Sequence, residues 1–292
     1  MSIPDHQVRA GRKREPLEAY WPSWWRGWRN RKQFQGVREV VLFIGYPRSG
    51  HSLVGSLLDA HPNVTIAHEL DVLLLVEKGY KRNQLFQLMV ENSQRQGQKG
   101  RANTGYSYEV EGQWQGRFQD LKVIGDKKGG RTTRYLAGES NYQLLHRLAQ
   151  LTGCTLKFIH VVRHPMDNIS TMVRRTMVRK KPEQLEEVVK KKTQVYLNKL
   201  ESNARLRASG TFQVLDLSLE SLISQPKHEL KRLCDFLHLE ASKNYLDNCA
   251  TIIWPQPNKS RDKVDFWTAE NRQALRESIQ AYDFMEKYWN AI

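Results

Sequence analysis

The chain reads Phe43-Ile44-Gly45-Tyr46-Pro47-Arg48-Ser49-Gly50-His51-Ser52 at the end of an apolar run that begins at Val40. The apolar run predicts a buried strand, and the two glycines stand at the fixed positions of a phosphate-binding loop. Ser52 takes the hydroxyl position of that pattern, but His51 stands where a nucleoside triphosphatase carries lysine. The stretch therefore predicts a strand, an anion-binding turn and a helix in an α/β protein.

The physics of this loop favours an anion before any side chain is considered. Gly45 and Gly50 allow backbone dihedrals that a β-carbon would block, so consecutive N–H groups can face one anion. The helix predicted to follow, over residues 52–59, adds its positive N-terminal end. Arg48 supplies a full charge in the middle of the loop. Because the lysine that reaches the β- and γ-phosphates is missing, the loop suits a ligand other than a nucleoside triphosphate.

Length and composition predict one enzyme-sized domain. The 292 residues are 39% hydrophobic and include only 10 Pro and 18 Gly, which argues against disorder. No apolar run approaches the roughly 20 residues of a membrane span, and the first residues lack the apolar core of a secretory signal. The cysteines, Cys154, Cys234 and Cys249, show neither CxxC nor zinc-site spacing. The expected compartment is therefore the reducing cytoplasm.

The net charge of +15 favours anionic ligands. Nucleic acid, an acidic membrane surface, a polyanionic substrate and a charged nucleotide all satisfy it, so charge alone does not choose among them. Basic residues concentrate in residues 1–38 and 174–192. The second region also carries glutamates, and it is expected to form an exposed helix of mixed charge.

Strands and helices are predicted to alternate along the chain. The predicted strands are residues 40–44, 63–67, 121–125, 155–162 and 212–215, and the predicted helices are 52–59, 70–78, 81–92, 142–151 and long helices up to about residue 209. Residues 94–119 are polar and glycine-rich, which predicts a surface excursion. This order predicts a central, mainly parallel sheet with helices on both faces and a ligand at the carboxyl ends of the strands.

Tyr46-Pro47-Arg48-Ser49-Gly50 resembles the 5′-phosphosulfate loop of the sulfotransferases, which bind 3′-phosphoadenosine 5′-phosphosulfate (PAPS). The resemblance implies an α/β, P-loop sulfotransferase-like three-layer fold. It implies PAPS as co-substrate, with no metal required. It also implies that the 5′ end of the nucleotide is bound by the loop residues Arg48, Ser49, Gly50, His51 and Ser52.

Residues 161–171 resemble the 3′-phosphate site of the same family. In sulfotransferases an arginine at a strand end, followed after a helical excursion by a serine or threonine, holds the phosphate that distinguishes PAPS from ordinary adenine nucleotides. The resemblance implies that Arg163 has this role together with Thr171, and Ser170 remains the alternative partner. Arginine suits the task because its planar fork binds phosphate oxygens bidentately and stays protonated.

The C-terminal part of the chain also resembles the family. Residues 257–263 are similar to a basic loop that closes over the nucleotide, which implies Lys259 and Arg261 as further candidates for the 3′-phosphate. Residues 214–237 are similar to the family's penultimate strand and helix. The resemblance thus runs from about residue 39 to the end, and we expect a catalytic domain over residues 39–292.

The catalytic base is implied by residues 58–69, which are similar to a segment of the tyrosylprotein sulfotransferases. This similarity implies Glu69 as the group that takes the acceptor's proton. His68 is the alternative, since other branches of the family use histidine. A lysine after the strand at residues 121–125 contacts the leaving phosphate in related enzymes, which implies Lys127, with Lys128 as the alternative. Arg48 and the lysine would together stabilise the developing charge.

Two rival hypotheses remain at this point. Asp126 follows a strand and could hold Mg²⁺ in a phosphate-transferring kinase or nucleoside triphosphatase. The chain could also be a catalytically inactive protein of the same fold that binds a nucleotide or nucleic acid. Nucleic acid is the less favoured partner. The acceptor hydroxyl or amine could belong to a small molecule, a saccharide, a lipid or a peptide. Residues 70–118 and 172–200 are expected to wall the acceptor cleft.

The basic N-terminal arm, residues 1–38, carries tryptophans at helical spacing. Trp21, Trp24, Trp25 and Trp28 fall at positions i, i+3, i+4 and i+7, with arginines between them. Such a helix could lie in a membrane interface, which would give peripheral membrane contact. Aromatic stripes are more often packed than free, so the favoured expectation is that the indoles dock on the enzyme's own surface.

Overall fold

A five-stranded parallel sheet forms the centre of the molecule. The computed structural model describes residues 20–102, 105–138 and 141–292. The strands are β1 (Glu39–Gly45), β2 (Val64–Ala67), β3 (Val123–Asp126), β4 (Thr155–Val162) and β5 (Gln213–Ser218). Their spatial order is β2-β3-β1-β4-β5, and each neighbouring pair is parallel. The predicted α/β class with a mainly parallel sheet is confirmed.

Helices connect and flank the strands, as parallel pairing requires. They are α1 (Tyr20–Arg29), α2 (His51–Asp59), α3 (Val72–Glu77), α4 (Arg82–Gly97), α5 (Gly129–Tyr135), α6 (Asn141–Thr152), α7 (Pro165–Met177), α8 (Leu185–Ala208), α9 (Leu219–Ser224), α10 (Pro226–Phe236), α11 (Lys243–Thr251), α12 (Ala269–Ile279) and α13 (Glu286–Trp289). Short 3-10 helices include Ser260–Lys263.

Strand β1 shows why the molecule has three layers. Every one of its residues is buried, and alternate side chains enter different cores. Val40 and Leu42 pack into one core together with Phe86 of α4. Val41 and Phe43 pack into another, which includes residues of α2 and α10. The continuous apolar run is therefore the signature of a strand that is covered on both faces.

The site predicted from the sequence lies where the strand order reverses. Strand β1 stands between β3 and β4, which the chain reaches later and on opposite sides. Loops that leave the carboxyl ends of such strands open a crevice in doubly wound sheets. The phosphate loop follows β1, Lys127 follows β3 and Arg163 follows β4, so the topology brings these residues to one edge.

The elements differ from their predicted bounds where glycine or polarity obscures the pattern. Helix α4 continues to Gly97, into the stretch expected to be a surface excursion. Helix α5 was not predicted, because it begins with two poor helix formers, Gly129 and Gly130. Tertiary packing explains the first of them, since a β-carbon at Gly129 would lie 2.5 Å from Nε2 of His51.

The expectation that the indoles of α1 dock on the enzyme was wrong. The face of α1 that packs on α4 carries small residues, since Ser23 and Gly27 are its buried residues. A β-carbon at Gly27 would lie 2.7 Å from the Asn83 carbonyl oxygen. Close helix approach selects small residues, so the bulky indoles are turned outward. Residues 1–19 of the predicted arm lie outside the described residues.

Candidate active site

The phosphate loop has the backbone that its glycines predicted. Gly45 and Gly50 have φ values of 133° and 97°, and Arg48 is held in the left-handed region at 74°. The Gly45 N–H donates to Thr133 Oγ1 at 2.9 Å, which ties the start of the loop to α5. Ser49 is fully buried, and its Oγ accepts from Asn168 Nδ2 at 2.9 Å. Strain concentrated in a loop at a strand end is typical of functional sites.

The side chain of His51 contacts the protein's own backbone. Its Nε2 lies 3.0 Å from the carbonyl oxygen of Ile44, so the ring reaches back to the end of β1. Burial lowers the pKa of His51 to about 4, which leaves the ring neutral at physiological pH. His51 also begins α2, so what it can offer an anion is its backbone N–H.

A second strained loop presents the candidate base. Glu69 and Asp71 have φ values of 59° and 73°, a region that non-glycine residues rarely occupy. Asp126 holds this loop, because its carboxylate accepts three backbone N–H groups, from Leu70 at 3.0 Å, Asp71 at 2.7 Å and Val72 at 2.9 Å. Asp126, the candidate Mg²⁺ ligand of the sequence analysis, therefore uses both carboxylate oxygens to accept hydrogen bonds from the backbone.

The charge state of Asp126 follows from these contacts. Its burial raises the pKa to about 6, while the three N–H donors and the nearby Lys128 oppose that rise. The three N–H donors and the Lys128 ammonium therefore favour the ionised carboxylate, against the effect of burial. Among the residues that the structure describes, no group of three or more His, Cys, Asp or Glu side chains is arranged to hold a metal ion.

Lys127 lies at the centre of the candidate catalytic groups. Its side chain is buried, and Nζ lies 3.2 Å from Glu69 Oε1, 3.1 Å from Ser52 Oγ and 3.5 Å from His68 Nε2. The ammonium therefore connects the phosphate loop with both candidate bases. Lys128 has a different environment, because its Nζ donates to the backbone carbonyl of Glu69 at 2.9 Å.

Arg163 is buried, and its guanidinium donates hydrogen bonds to neutral oxygens. Its Nη1 donates to the Arg48 carbonyl at 3.1 Å, and its Nη2 donates to the Asn258 carbonyl and lies 3.5 Å from Ser260 Oγ. Within the described part of the chain, its buried Nε has no hydrogen-bond partner. Burial lowers the pKa of Arg163, and the nearby carboxylates of Asp167 and Glu220 oppose this change. A buried guanidinium whose hydrogen bonds go to neutral oxygens is suited to direct contact with an anionic ligand.

Two hydroxyl groups lie in a row beside Arg163. Thr171 Oγ1 lies 2.9 Å from Ser260 Oγ, which in turn faces the arginine. Ser170 is less available, because its fully buried Oγ accepts from Trp267 Nε1 at 2.8 Å. The geometry therefore separates the two candidates, and it adds Ser260, which sequence reasoning did not single out.

In the basic loop of residues 257–263, Arg261 contacts α7 beside Arg163 and Thr171, whereas Lys259 makes no hydrogen bond to the described residues of α7. Arg261 donates from its backbone N–H to Asp167 Oδ1 at 2.8 Å and from Nη1 to Oδ2 at 2.6 Å. Asp167 thus closes the loop over α7. Lys259 is exposed at the start of the 3-10 helix. No sequence signal pointed to Asp167, whose role depends on contact between distant segments.

A parallel sheet that carries a phosphate loop at its point of reversal defines a class of nucleotide-binding α/β proteins. Within that class, the model of the sulfotransferase family matches residues 41–243, and the chain belongs to that family. It is therefore a transferase enzyme, with sulfuryl transfer as its reaction type.

Solved structures share the fold. The sulfotransferase domain of the Synechococcus PCC 7002 olefin synthase is 19% identical, with a TM-score of 0.53 over 85% of this chain and 96% of that one. The sulfotransferase domain from the curacin biosynthetic pathway is 16% identical, with a TM-score of 0.50 over 84% and 98% of the two chains. No curated protein sequence matches the chain. Identities this low speak for the fold alone.

Proposed function

We propose that this sulfotransferase uses PAPS as its donor and sulfates a hydroxyl or amine. The observation that supports PAPS most directly is the buried Arg163, whose contacts with neutral oxygens and unpartnered Nε suit a second phosphate. An ordinary 5′-nucleotide would leave this group without a directly bound phosphate. Thr171 and Ser260 add hydroxyl donors at the same place.

The two anion-binding elements are near enough to serve one nucleotide. Strands β1 and β4 are neighbours in the sheet, and Arg163 donates to the carbonyl of Arg48 within the phosphate loop. In this proposal Arg48, Ser49, Gly50, Ser52 and the His51 N–H bind the 5′ end. The 3′-phosphate is held by Arg163, Thr171 and Ser260, with Arg261 and Lys259 on the closing loop and Ser170 as the alternative hydroxyl.

The chemistry assigned to the site is transfer of a sulfuryl group that PAPS supplies. Glu69 accepts the proton of the attacking hydroxyl or amine, so that the new bond to sulfur forms as the acceptor loses its proton. The bond between sulfur and the bridging phosphate oxygen of PAPS breaks, and adenosine 3′,5′-bisphosphate leaves. Lys127 and Arg48 place positive charge where the departing phosphate oxygen gains negative charge. His68 stays the alternative base, because it too lies beside Lys127.

Lys127 must change partners during this reaction. In the structure its ammonium pairs with the Glu69 carboxylate at 3.2 Å and contacts Ser52 of the phosphate loop. An adjacent cation favours the ionised carboxylate, which is the form that can accept a proton. When Glu69 takes the proton, its charge is lost and Lys127 is released toward the oxygen of the departing phosphate. Lys128 is bound to the Glu69 backbone and is less suited to this exchange.

The kinase alternative is not favoured by the same geometry. The side chain at the lysine position of the loop, His51, is neutral and turned toward Ile44. The candidate Mg²⁺ ligand, Asp126, accepts three backbone N–H groups. A phosphate-transferring enzyme would need both groups free for its own ligand.

The acceptor cleft is proposed to lie beside Arg48, between the segments 70–118 and 172–200. Burial and neighbouring Tyr106 raise the pKa of the Tyr108 phenol, while the nearby charges of Arg48 and Arg175 oppose this rise. Tyr106 extends the aromatic wall, with its ring 5.6 Å from that of Trp254. Such a wall suits a small molecule, a saccharide ring, a lipid headgroup or a peptide side chain.

Three finer assignments remain proposals. The domain boundary near residue 39 precedes β1, and the similarity of residues 58–69 to tyrosylprotein sulfotransferases stays a prediction about the branch. The cytoplasm is the proposed compartment. It is supported by the buried free thiols of Cys154, Cys234 and Cys249.

A donor and acceptor screen tests the proposal. The protein is incubated with PAPS labelled in the sulfuryl group and with pools of saccharides, lipids, phenols and tyrosine peptides. We expect labelled product in at least one pool and stabilisation against heat by adenosine 3′,5′-bisphosphate. Stabilisation by ATP with Mg²⁺, but not by adenosine 3′,5′-bisphosphate, would contradict PAPS as donor.

A further inference from the structure

The outer face of α1 combines exposed indoles with cations. Trp21, Trp24, Trp25 and Trp28 are 73%, 39%, 50% and 51% exposed. At about 100° per residue the four indoles fall within an arc of about 100°, turned away from the face that carries Ser23 and Gly27. Single exposed hydrophobic residues are ordinary, but a contiguous aromatic patch marks an interaction surface.

Hydrogen bonds and an ion pair attach the opposite face of α1 to α4. Ser23 Oγ accepts from Gln84 Nε2 at 2.8 Å. Arg26 binds Glu91 of α4 through Nε at 2.8 Å and Nη2 at 3.1 Å. The indoles are therefore exposed because the opposite face is docked. Since the face with Ser23 and Gly27 attaches α1 to α4, the aromatic face is not needed to attach the helix to the enzyme.

The segment that carries the aromatic face is basic. Residues 20–38 contain Arg26, Arg29, Arg31, Lys32 and Arg38 but neither Asp nor Glu, and of these Arg26 pairs with Glu91 of α4. The Arg29 guanidinium lies 5.4 Å from the ring centre of Trp25, and that of Arg31 lies 4.5 Å from the ring centre of Trp28. Within the described residues neither of these two guanidiniums forms an ion pair. The surface is thus complementary to an extended anionic partner.

We propose that α1 docks the enzyme on an anionic membrane surface. Indoles favour the boundary between headgroups and acyl chains, because their rings are apolar and their N–H groups are polar. Arginines stacked on those indoles remain able to bind lipid phosphates. No helix in the described part of the chain is long and apolar enough to cross a membrane, so the contact is peripheral.

Vesicle binding tests the proposal with the full chain. Sedimentation compares vesicles of phosphatidylcholine alone with vesicles that contain roughly one-third phosphatidylserine. We expect at least about tenfold stronger binding to the anionic vesicles. The double variant Trp25→Ala/Trp28→Ala should weaken that binding about tenfold or more, because it removes half of the aromatic patch. The charge reversal Arg29→Glu/Arg31→Glu should remove the preference for anionic lipid.

A matched control separates this surface from general charge. Arg147 on α6 and Lys243 on α11 are exposed and lie outside the proposed acceptor cleft. Arg147→Glu/Lys243→Glu makes the same change in net charge and should bind vesicles as the wild type does. Thermal unfolding of every variant checks that it is folded, and the two α1 variants test the surface independently of each other.

Several results would overturn the proposal. Equal binding of the wild type to both kinds of vesicle would remove the lipid preference on which it rests. Equal losses in the α1 variants and in the control variant would assign binding to overall charge. If light scattering finds a wild-type dimer that Trp25→Ala/Trp28→Ala converts to a monomer, the aromatic face is an interface between copies of this chain.

Discussion

Lys127 and Arg163 are both buried cations at the carboxyl edge of the sheet, but their partners differ. Lys127 pairs with the carboxylate of Glu69 at 3.2 Å. Arg163 donates to carbonyl and hydroxyl oxygens, and among the described residues its Nε has no hydrogen-bond partner. Lys127 is thus in direct contact with a carboxylate, whereas Asp167 and Glu220 act on Arg163 at longer range and leave its guanidinium suited to direct contact with a ligand. We therefore expect changes around Lys127 to affect turnover and changes at Arg163 to affect binding.

Glu69→Gln should have the largest effect. The amide keeps the shape of the side chain but cannot accept the acceptor's proton, so turnover should fall by about 10²-fold or more. PAPS affinity should stay within about threefold, because Glu69 is assigned no contact with the bound nucleotide. Steady-state kinetics and calorimetric PAPS binding measure the two quantities.

His68→Gln is the matched comparison for that result, and we expect a much milder loss of turnover. A nearly active Glu69→Gln beside an inactive, PAPS-binding His68→Gln would transfer the role of base to histidine. Loss of PAPS binding in Glu69→Gln would instead make the glutamate a structural residue.

Asp126→Asn tests whether the strained base loop depends on its carboxylate. An amide accepts through only one oxygen, so backbone N–H groups of residues 70–72 lose acceptors in a buried site. We expect the free energy of unfolding to fall by about 2 kcal/mol and turnover by about tenfold, with adenosine 3′,5′-bisphosphate affinity retained. Asp120→Asn, an exposed control, should change neither; urea unfolding and kinetics of both variants provide the measurement.

His51 should make stability depend on pH. Burial lowers the pKa of His51 from its ordinary 6.5 to about 4, so the unfolded chain binds the additional proton between these values. The free energy of unfolding therefore rises as pH increases from about 4 to about 6.5. His51→Gln should reduce this rise by about 1 kcal/mol or more in urea unfolding. An unchanged pH dependence would mean that the ring is not buried as a neutral group.

The sequence predicted the parts of the fold that depend on local pattern. The apolar run before Gly45 identified β1, and strand β4 has the predicted bounds of residues 155–162. The missed helix α5 depends instead on tertiary contact, because Gly129 is required by the neighbouring ring of His51. Local propensity disfavours glycine in helices, so no single-sequence pattern would place a helix there.

The site was predictable as a set of strand-end groups but not as a network. Arg48, Lys127 and Arg163 follow three strands, and parallel topology brings those ends together. The contacts of Asp126, by contrast, could not be predicted from the sequence. They depend on how the loop after β2, residues 70–72, lies against the end of β3. The outward indoles of α1 were mispredicted for a similar reason: periodicity identifies an aromatic face but not which face a neighbouring helix covers.

The central claim is that Arg163 binds a 3′-phosphate. Calorimetry of adenosine 3′,5′-bisphosphate and adenosine 5′-phosphate with the wild type and Arg163→Ala tests it most directly. Arg174→Ala, an exposed arginine on α7, serves as the control. Loss of a charge-assisted clamp worth about 1.5 to 3 kcal/mol should weaken the bisphosphate about tenfold or more and leave the monophosphate nearly unchanged. Equal weakening of both ligands would contradict the account.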